Sequence, residues 1–258
     1  MFENRNYRSR SNREGLIPFR VTVKETDLHI QAESDLSQIA LRTVMKQRGF
    51  VEAYMQLNPE FRTSLIPLKP TLPALPQIII DMIDAGKKAG VGPMAAIAGA
   101  IAEQTGMALM EYSTEVIVEN GGDIFFKTNS DMIFSIFAGK SPLSMKVGVR
   151  ITPRITEMKS LDTDNRFVGK RVMALCTSSG TVGHSMSFGK ADAATVISSS
   201  CTLADATATA LGNIVKQDCD IEKAIEVGQQ IPGVEGIIII KGKKLGAWGN
   251  IELVKIAP

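Results

Sequence analysis

The sequence predicts an α+β fold, because its strand-like and helix-like segments occur in separate runs with few strand–helix–strand alternations. Beyond Tyr112, six short apolar segments follow one another across short turns, which is typical of strands. Two helical segments and two closing strands come after them. Hydrophobic residues make up 44% of the chain, aromatic residues only 5%, and there are 22 glycines. We therefore expect a finely packed aliphatic core in which backbones approach closely.

The N-terminal part of the chain predicts a hairpin followed by three helices. These elements are predicted at Phe19–Lys24, Leu28–Ala32, Leu36–Leu57, Gln77–Lys88 and Gly92–Met107. Asn58–Pro59 ends the first helix because proline cannot extend it, and Gly90 ends the second. Small residues surround most of the third helix. They allow it to press against another element or to admit a flat ligand.

The C-terminal part predicts eight strands and two helices. The strands are predicted at Glu115–Glu119, Asp123–Lys127, Met132–Phe137, Lys146–Ile151, Arg171–Cys176, Ala193–Ile197, Gly236–Lys241 and Ile251–Lys255, and the helices at Thr202–Gln217 and Ile221–Gln229. We expect a single domain over residues 15–258, with a Pro-rich connection near residues 67–76. Residues 1–14 are expected to form a disordered basic tail.

The charge balance argues against a polyanionic partner. The net charge is +2, from 29 basic and 27 acidic residues, so no broad positive field surrounds the protein. Basic residues concentrate only in the Asn- and Ser-rich tail, at Arg5, Arg8, Arg10 and Arg13. A solvated terminus explains them better than a nucleic-acid or membrane contact. The sequence has no apolar run of about 20 residues, so we expect no membrane partner. The balanced charge leads us to expect no nucleic-acid partner either.

The cysteines and histidines are few. Cys176, Cys201 and Cys219 are scattered without CxxC spacing, which indicates unpaired thiols in a reducing compartment. His29 and His184 are the only histidines, and so small a set excludes a structural zinc site. The arginine-rich tail is not followed by the apolar segment of a secretory signal. The sequence therefore predicts a cytoplasmic protein.

The first candidate ligand segment is Asn120-Gly121-Gly122-Asp123, which lies between two apolar strands. Its glycines suit a hairpin turn that needs positive φ angles. They also leave backbone amides open to a phosphate or to the edge of a ring. Both interpretations hold together.

The second candidate segment runs from Cys176 to Gly189 and carries six hydroxyl side chains and three glycines around His184. It contains Thr177-Ser178-Ser179-Gly180 and, up to Gly189, no Lys, Asp or Glu. A surface loop of this length usually carries such charges. Hydroxyls and free amides without competing carboxylates favour an anionic oxygen ligand over the alternative of a plain loop.

The third candidate segment is the helix predicted from Thr202. Asp205 and Thr209 lie four residues apart, so they share one helix face. A carboxylate and a hydroxyl offer hard oxygen ligands to Mg²⁺, with water and phosphate completing the octahedron. The alternative is that Asp205 only stabilises the N-terminus of its own helix.

Several familiar motifs fit only in part. Gly90-Val-Gly-Pro-Met-Ala95 has the letters of a dinucleotide fingerprint but is not preceded by the apolar strand that this motif requires. The glycines from Gly183 to Gly189 have the wrong spacing for a P-loop. A hydrolase that uses Ser178 or Ser179 with His184 and Asp192 stays open, although no GxSxG elbow is present.

Taken in order, these segments resemble the ApbE-type flavin transferase superfamily, and most closely its cytosolic branch. The resemblance covers the chain from about Phe19 to Trp248. Its strongest parts are Val91–Glu103, Glu119–Asp123, Thr177–Gly180 and Ala204–Thr209. No single motif is decisive, whereas the ordered set is fairly specific.

The resemblance implies a fold of mainly antiparallel sheets packed with helices, and a site for FAD and Mg²⁺. Such enzymes transfer FMN from FAD to a Thr or Ser hydroxyl of an acceptor protein and release AMP. The resemblance assigns Asp205 and Thr209 to the metal, with a main-chain carbonyl near Ala96–Ala98, and His184 to the role of catalytic base. It assigns flavin-nucleotide binding to Asn120, Gly121, Gly122 and Asp123 and to Thr177, Ser178, Ser179 and Gly180.

The chain departs from the family pattern at two places. Ser185-Met-Ser-Phe follows His184 where the family has an Asp/Asn-Pro pair, and Ala98 or Gly99 replaces a family lysine. Fold and ligand class withstand these changes better than transfer does. A flavin-nucleotide-binding module without transfer activity is therefore the alternative function. A homodimer, supported by an aliphatic sheet edge, also stays open.

Overall fold

The computed structural model describes residues 13–152, 172–180 and 189–256. Within these ranges the strands are β1 (Ile17–Val23), β2 (Thr26–Ala32), β3 (Val116–Asn120), β4 (Asp123–Lys127), β5 (Met132–Ser135), β6 (Val147–Ile151), β7 (Met173–Ser178), β8 (Ala193–Ser198), β9 (Val234–Lys241), β10 (Lys244–Gly249) and β11 (Glu252–Lys255). The helices are α1 (Ser37–Leu57), α2 (Glu60–Thr63), α3 (Gln77–Ala89), α4 (Ile97–Leu109), α5 (Cys201–Ile214) and α6 (Asp220–Gln229), with a 3₁₀ turn at Pro93–Ala96.

Two antiparallel sheets organise the described residues. The larger has eight strands in the order β1-β2-β3-β4-β7-β8-β9-β10, and the smaller has three in the order β11-β6-β5. Every described strand pairing is antiparallel. The α+β class and the mainly antiparallel sheets predicted from the sequence are therefore confirmed.

The large sheet is covered on both faces because its strands carry apolar side chains at both alternating sets of positions. On one face, Val118, Phe125 and Cys176 pack with the helices. On the other face, Leu175 and its neighbours pack against inward-facing side chains of β5 and β6, such as Val149. The result is a three-layer arrangement of helices, large sheet and small sheet.

Local sequence explains where the helices begin and end. In α3 the buried residues Ile78, Ile79, Met82 and Ile83 recur at the spacing of one helix face. The helix ends at Gly90, which has a φ of 74° in the left-handed region that glycine tolerates. Both features agree with the helix predicted at Gln77–Lys88.

Three element predictions were incomplete. The helix predicted over Gly92–Met107 is divided into the 3₁₀ turn and α4, and Pro93 stands at the first position of that turn. The helix predicted to reach Gln217 ends at Ile214. Strand β10 was missed because its glycines weaken the strand signal, and its pairing with the isoleucine-rich β9 overrides that weakness.

Two further expectations concern side chains. Cys176, Cys201 and Cys219 are all free thiols, as predicted. Arg13, assigned to the solvated tail, instead forms an ion pair with Glu115 at 2.9 Å between Nη2 and Oε1, while Arg5, Arg8 and Arg10 lie outside the described residues. No helix in the described part of the chain is long and apolar enough to cross a membrane.

The contact between α4 and β4 gives a test of the packing. A Cβ at Gly106 would lie 2.1 Å from Cδ1 of Phe125, a ring that is fully buried. Because neither the ring nor the helix can move freely, we expect Gly106→Ala to lower the free energy of unfolding by about 1–3 kcal/mol. Urea denaturation measures this change.

The matched control is Gly49→Ala in α1, where a Cβ would meet nothing within 4 Å. Alanine in an exposed helix interior should raise the free energy of unfolding by about 0.5–1 kcal/mol. If the two variants change stability in the same direction and by similar amounts, the described contact between α4 and β4 is wrong.

Candidate functional site

Helices α4 and α5 approach each other closely at Gly99. A Cβ at this position would lie 2.4 Å from the carbonyl oxygen of Cys201 and 2.7 Å from Cβ of Asp205. Only glycine fits such a distance without displacing one backbone from the other. The small-residue helix of the sequence therefore serves helix packing, and it brings the N-terminus of α4 to the side of α5.

Asp205 is a buried carboxylate with 8% of its surface exposed. Its Oδ2 accepts a hydrogen bond of 2.8 Å from the backbone N–H of Gly99. Burial raises the pKa of Asp205 to about 7, and hydrogen bonds from the backbone amides of Gly99 and Ala98 offset part of that rise. Burial therefore disfavours the ionised form of this carboxyl group relative to a carboxyl group in water.

The position of Asp205 bears on the alternative that this residue only stabilises the N-terminus of its own helix. Asp205 is the fifth residue of α5, whose N-cap is Ser200, so it lies beyond the first turn of its own helix. It instead accepts a free amide in the first turn of α4, where the N-cap Ala96 makes no side-chain hydrogen bond. Asp205 thus stabilises the N-terminus of the neighbouring helix rather than that of α5.

Glu103 of α4 makes the reciprocal contact. Its Oε2 accepts hydrogen bonds from the N–H of Thr202 at 2.8 Å, from Oγ1 of Thr202 at 2.7 Å and from Oγ of Ser200 at 3.1 Å. Each helix therefore supplies a carboxylate to the N-terminus of the other. The sequence analysis missed Glu103, because its partners lie about 100 residues away along the sequence and no local pattern indicates them.

Asn120 lies at the end of β3 and reaches the same helix N-terminus. Its Nδ2 donates a 3.0 Å hydrogen bond to the carbonyl oxygen of Ala98. The sequence analysis left open which carbonyl near Ala96–Ala98 faces the site, and Ala98 is the one that Asn120 contacts. Asn120 and the amide of Gly99 thus meet at the first turn of α4.

The turn after Asn120 is the tight hairpin that its glycines predict. Gly121 has a φ of 71°, and Asn120 pairs with Asp123 across the turn. Asp123 is buried with 8% exposed, and it pairs with Cys176 of β7. Its side chain lies on the helix-facing side of the sheet, since Phe125, two residues on, packs with the helices.

The segment Thr177–Gly180 is adjacent to this turn. The N–H of Thr177 donates to the carbonyl oxygen of Gly122 at 2.9 Å. The Thr177 side chain lies on the opposite face of the sheet, where its Oγ1 is 2.9 Å from Oγ1 of Thr195. The side chain of Thr177, which the sequence analysis proposed as part of the site, therefore faces away from Asp205.

Ser178 is buried and faces the helices, near Gly212 of α5. Ser179 and Gly180 are half-buried, and the N–H of Gly180 donates to the carbonyl oxygen of Ala191 at 2.9 Å. A Cβ at Gly189 would lie 1.6 Å from the carbonyl oxygen of Gly212. Both ends of the hydroxyl-rich segment are therefore held against the large sheet and α5.

Thr209 is half-buried and lies one turn after Asp205 on α5. Asp205, Thr209 and Gly212 follow one another at helical spacing, so one face of α5 connects Gly99 with Ser178. Asn120, Asp123, Ser178, Asp205 and Thr209 consequently lie on the same side of the large sheet. His184, the proposed base, lies outside the described residues.

Two thiols are buried next to this group, one on β7 of the large sheet and one at the start of α5. Sγ of Cys176 is 3.4 Å from Sγ of Cys201, and both cysteines are fully buried. Burial raises the pKa of the Cys201 thiol to about 11, with the charges of Asp123, Glu103 and Asp205 adding to the rise. A thiol with this pKa is neutral and behaves as packing rather than as a nucleophile.

The orienting carboxylate of the hydrolase alternative is already engaged. Oδ2 of Asp192 accepts a 2.6 Å hydrogen bond from the N–H of Gly242, and Oδ1 lies 3.7 Å from Nζ of Lys241. These contacts hold the turn between β9 and β10. The described residues therefore give Asp192 a structural role.

Comparisons with known proteins agree with this architecture. A family model described as AbpE bacteria matches residues 8–246. A UPF0280 protein of Methanococcus aeolicus is 36% identical over 245 residues, which is 93% of each chain. A UPF0280 protein of Methanocaldococcus jannaschii is 37% identical over 242 residues, which is 92% of each chain.

The similarity extends to a solved structure at the level of the fold. The ApbE protein of Thermotoga maritima superposes with a TM-score of 0.50 at 11% identity, covering 90% of this chain and 96% of the other. At this identity the likeness concerns the fold alone, and it supports the α+β arrangement described above. The family model over residues 8–246 and the UPF0280 relatives lead to one conclusion: this chain belongs to the ApbE-like family.

Proposed function

We propose that this protein binds a flavin nucleotide, FAD, together with Mg²⁺ at the group formed by Asn120, Asp123, Ser178, Asp205 and Thr209. The observation that carries the proposal is the buried carboxylate of Asp205. Burial raises its pKa, and among the described residues no lysine or arginine forms an ion pair with it, an environment that favours a ligand site. The likeness to ApbE proteins supports the same ligand class.

The donor set fits Mg²⁺ better than a transition metal. Asp205, Thr209 and the carbonyl of Ala98 would hold the ion, and all three offer oxygen. The described residues contain no cluster of three or more His, Cys, Asp and Glu side chains able to hold a metal without help. Such a sparse set suits Mg²⁺, which commonly binds one or two carboxylates and completes its shell with water and substrate phosphates.

The protein groups around the ion would act on the pyrophosphate. When bound, Mg²⁺ would supply charge stabilisation for the phosphate oxygens. The main-chain amides of Gly121 and Gly122 would position those oxygens by hydrogen bonding, since the amides of Thr177 and Gly180 already donate to the carbonyl oxygens of Gly122 and Ala191. The neutral thiols beneath would exclude water without competing for the ion.

Transfer is the finer proposal. In it, His184 accepts the proton of a Thr or Ser hydroxyl on an acceptor protein. The hydroxyl oxygen bonds to the FMN phosphorus, the bond from that phosphorus to the bridging oxygen breaks, and AMP leaves. Without His184 in place, the same site would serve as a flavin-nucleotide-binding module.

We predict that Asp205→Asn loses the Mg²⁺-dependent gain in FAD affinity. Asn keeps the shape of Asp but not the charge that binds the ion. The variant should therefore bind FAD about ten- to a hundredfold more weakly than the wild type in Mg²⁺, and as tightly as the wild type in EDTA. Titration of flavin fluorescence measures both affinities. Asp220→Asn is the matched control, because Asp220 also accepts two backbone amides, from Lys216 and Gln217, at the start of α6.

If folded Asp205→Asn protein retains the Mg²⁺ effect, the metal assignment fails. Incubation of the wild type with FAD, Mg²⁺ and peptides bearing Thr and Ser separates transfer from binding. Release of AMP that EDTA abolishes supports the transferase. Tight FAD binding without AMP indicates the binding module, and absence of FAD binding would overturn the proposal.

We also predict a pH dependence that Asp205 contributes to the metal-free protein. Because its folded pKa is raised from 3.8 to about 7, its contribution to stability is complete below pH 4 and is lost as the pH rises through 7. The free energy of unfolding relative to Asp205→Asn should fall by up to about 1 kcal/mol per pH unit between pH 5 and 7. Urea denaturation in EDTA measures the difference, and a flat difference across this range contradicts the burial of the carboxyl group.

A further inference from the structure

Glu103 holds α5 at a second point, one helical turn from Asp205. On α4, Gly99 and Glu103 are four residues apart and share one face. On α5, Thr202 and Asp205 are three residues apart and also share a face. The bond from Gly99 to Asp205 and the bonds from Ser200 and Thr202 to Glu103 are therefore separate attachments between the same two helices.

Two attachments separated by a turn determine more than one does. The Gly99–Asp205 bond is a single polar contact between α4 and α5, and packing against α3, β7 and β8 also restrains α5. The Glu103 carboxylate fixes the first turn of α5, since it accepts one backbone N–H and two hydroxyls with a single oxygen. Hydrogen bonds to a carboxylate are roughly twice as strong as hydrogen bonds between neutral groups. The Glu103 carboxylate therefore holds the first turn of α5 more firmly than a neutral acceptor would.

From this geometry we propose that Glu103 is a positioning residue for the ligand site, acting through Asp205. It touches neither the flavin nucleotide nor the ion. It sets the rotation of α5 that directs Asp205 to the first turn of α4, where the carbonyl of Ala98 lies. This inference rests on the proposed function for its ligand, and on the described hydrogen bonds for its mechanism.

The chain contains a close match to Glu103 away from the site. Glu33, which follows β2, accepts the N–H of Thr114 at 2.7 Å, Oγ1 of Thr114 at 2.7 Å and Oγ of Ser113 at 3.3 Å. The donor types are the same as those at Glu103: one threonine amide, the same threonine's hydroxyl and a serine hydroxyl. Glu33→Gln is therefore the control for the loss of such a carboxylate without an effect on α5.

The first experiment needs no ligand. The N–H of Gly99 lies in the first turn of α4, where helix amides lack an intrahelical acceptor, so Asp205 provides its protection from solvent exchange. In Glu103→Gln we expect the Gly99 amide to exchange with deuterium at least about tenfold faster, measured by NMR. Glu33→Gln should leave that rate unchanged although it replaces a carboxylate acceptor by a neutral amide in the same way.

The second experiment uses FAD and MgCl₂ as probes on the full chain. Glu103→Gln should weaken FAD binding in Mg²⁺ about tenfold or more, with affinity in EDTA unchanged. Glu103→Asp keeps the charge on a shorter side chain and should restore part of the loss. Glu33→Gln should bind FAD as the wild type does, whatever its melting temperature.

The outcomes separate the two proposals. If Glu103→Gln only melts earlier, while Gly99 exchange and Mg²⁺-dependent affinity stay at wild-type values, Glu103 is structural and the inference is overturned. If wild-type protein shows no Mg²⁺-dependent FAD binding, the proposed function fails, and the exchange experiment alone decides whether Glu103 positions Asp205. Should Glu103→Gln not fold, wild-type affinity in Glu103→Asp would overturn the inference, and a partial loss would support it.

Discussion

The exchange of carboxylates between α4 and α5 is the constraint on which the rest of the site depends. Helix N-termini carry unsatisfied amides and a partial positive charge, and burying them requires acceptors. Here each helix draws its acceptor from the other, through Asp205 and Glu103. Because Gly99 has no side chain, the helices come close enough for both contacts to form. The same contacts between α4 and α5 therefore pack the two helices together and determine where the carboxylate of Asp205 lies.

This arrangement has a cost in the metal-free protein. A carboxylate that only capped a helix would be more stable near water, where its charge is solvated. Asp205 is buried instead, and among the described residues no lysine or arginine forms an ion pair with it. Groups with strongly perturbed pKa values cluster at functional sites, and structural hydrogen-bond or ion-pair networks perturb pKa values as well. The ligand site proposed above would account for the burial of this carboxyl group.

The sequence predicted the elements that local chemistry determines. The ends of α3 and the turn at Gly121–Gly122 follow from glycine and from apolar periodicity, and both are present. Strand β10 could not be predicted, because its stability comes from pairing with β9 rather than from its own residues. Glu103 could not be assigned for a similar reason. Its role depends on Ser200 and Thr202, which only the folded chain brings near.

The direction of side chains likewise depends on the folded chain and not on local residues alone. A pattern of hydroxyls identified the Thr177–Gly180 segment, but alternation along β7 places Thr177 and Ser178 on opposite faces of the sheet. The direction depends on which residue of β7 pairs with β4, and that register is set by the whole sheet.

The strand order has a consequence for how such a protein can diverge. Strands β4 and β7 are neighbours in the large sheet, yet the chain forms β5 and β6 between them, on the face away from α4 and α5. Among the described residues, the small sheet is therefore formed by β5 and β6, which the chain inserts between two strands that pair with each other, and by the late strand β11. In the part of the chain that the structure describes, two apolar clusters on the faces of the large sheet separate this layer from Asp205. Descendants of one ancestor could exchange this outer layer, and with it any contacts to other molecules, while inheriting the inner face unaltered.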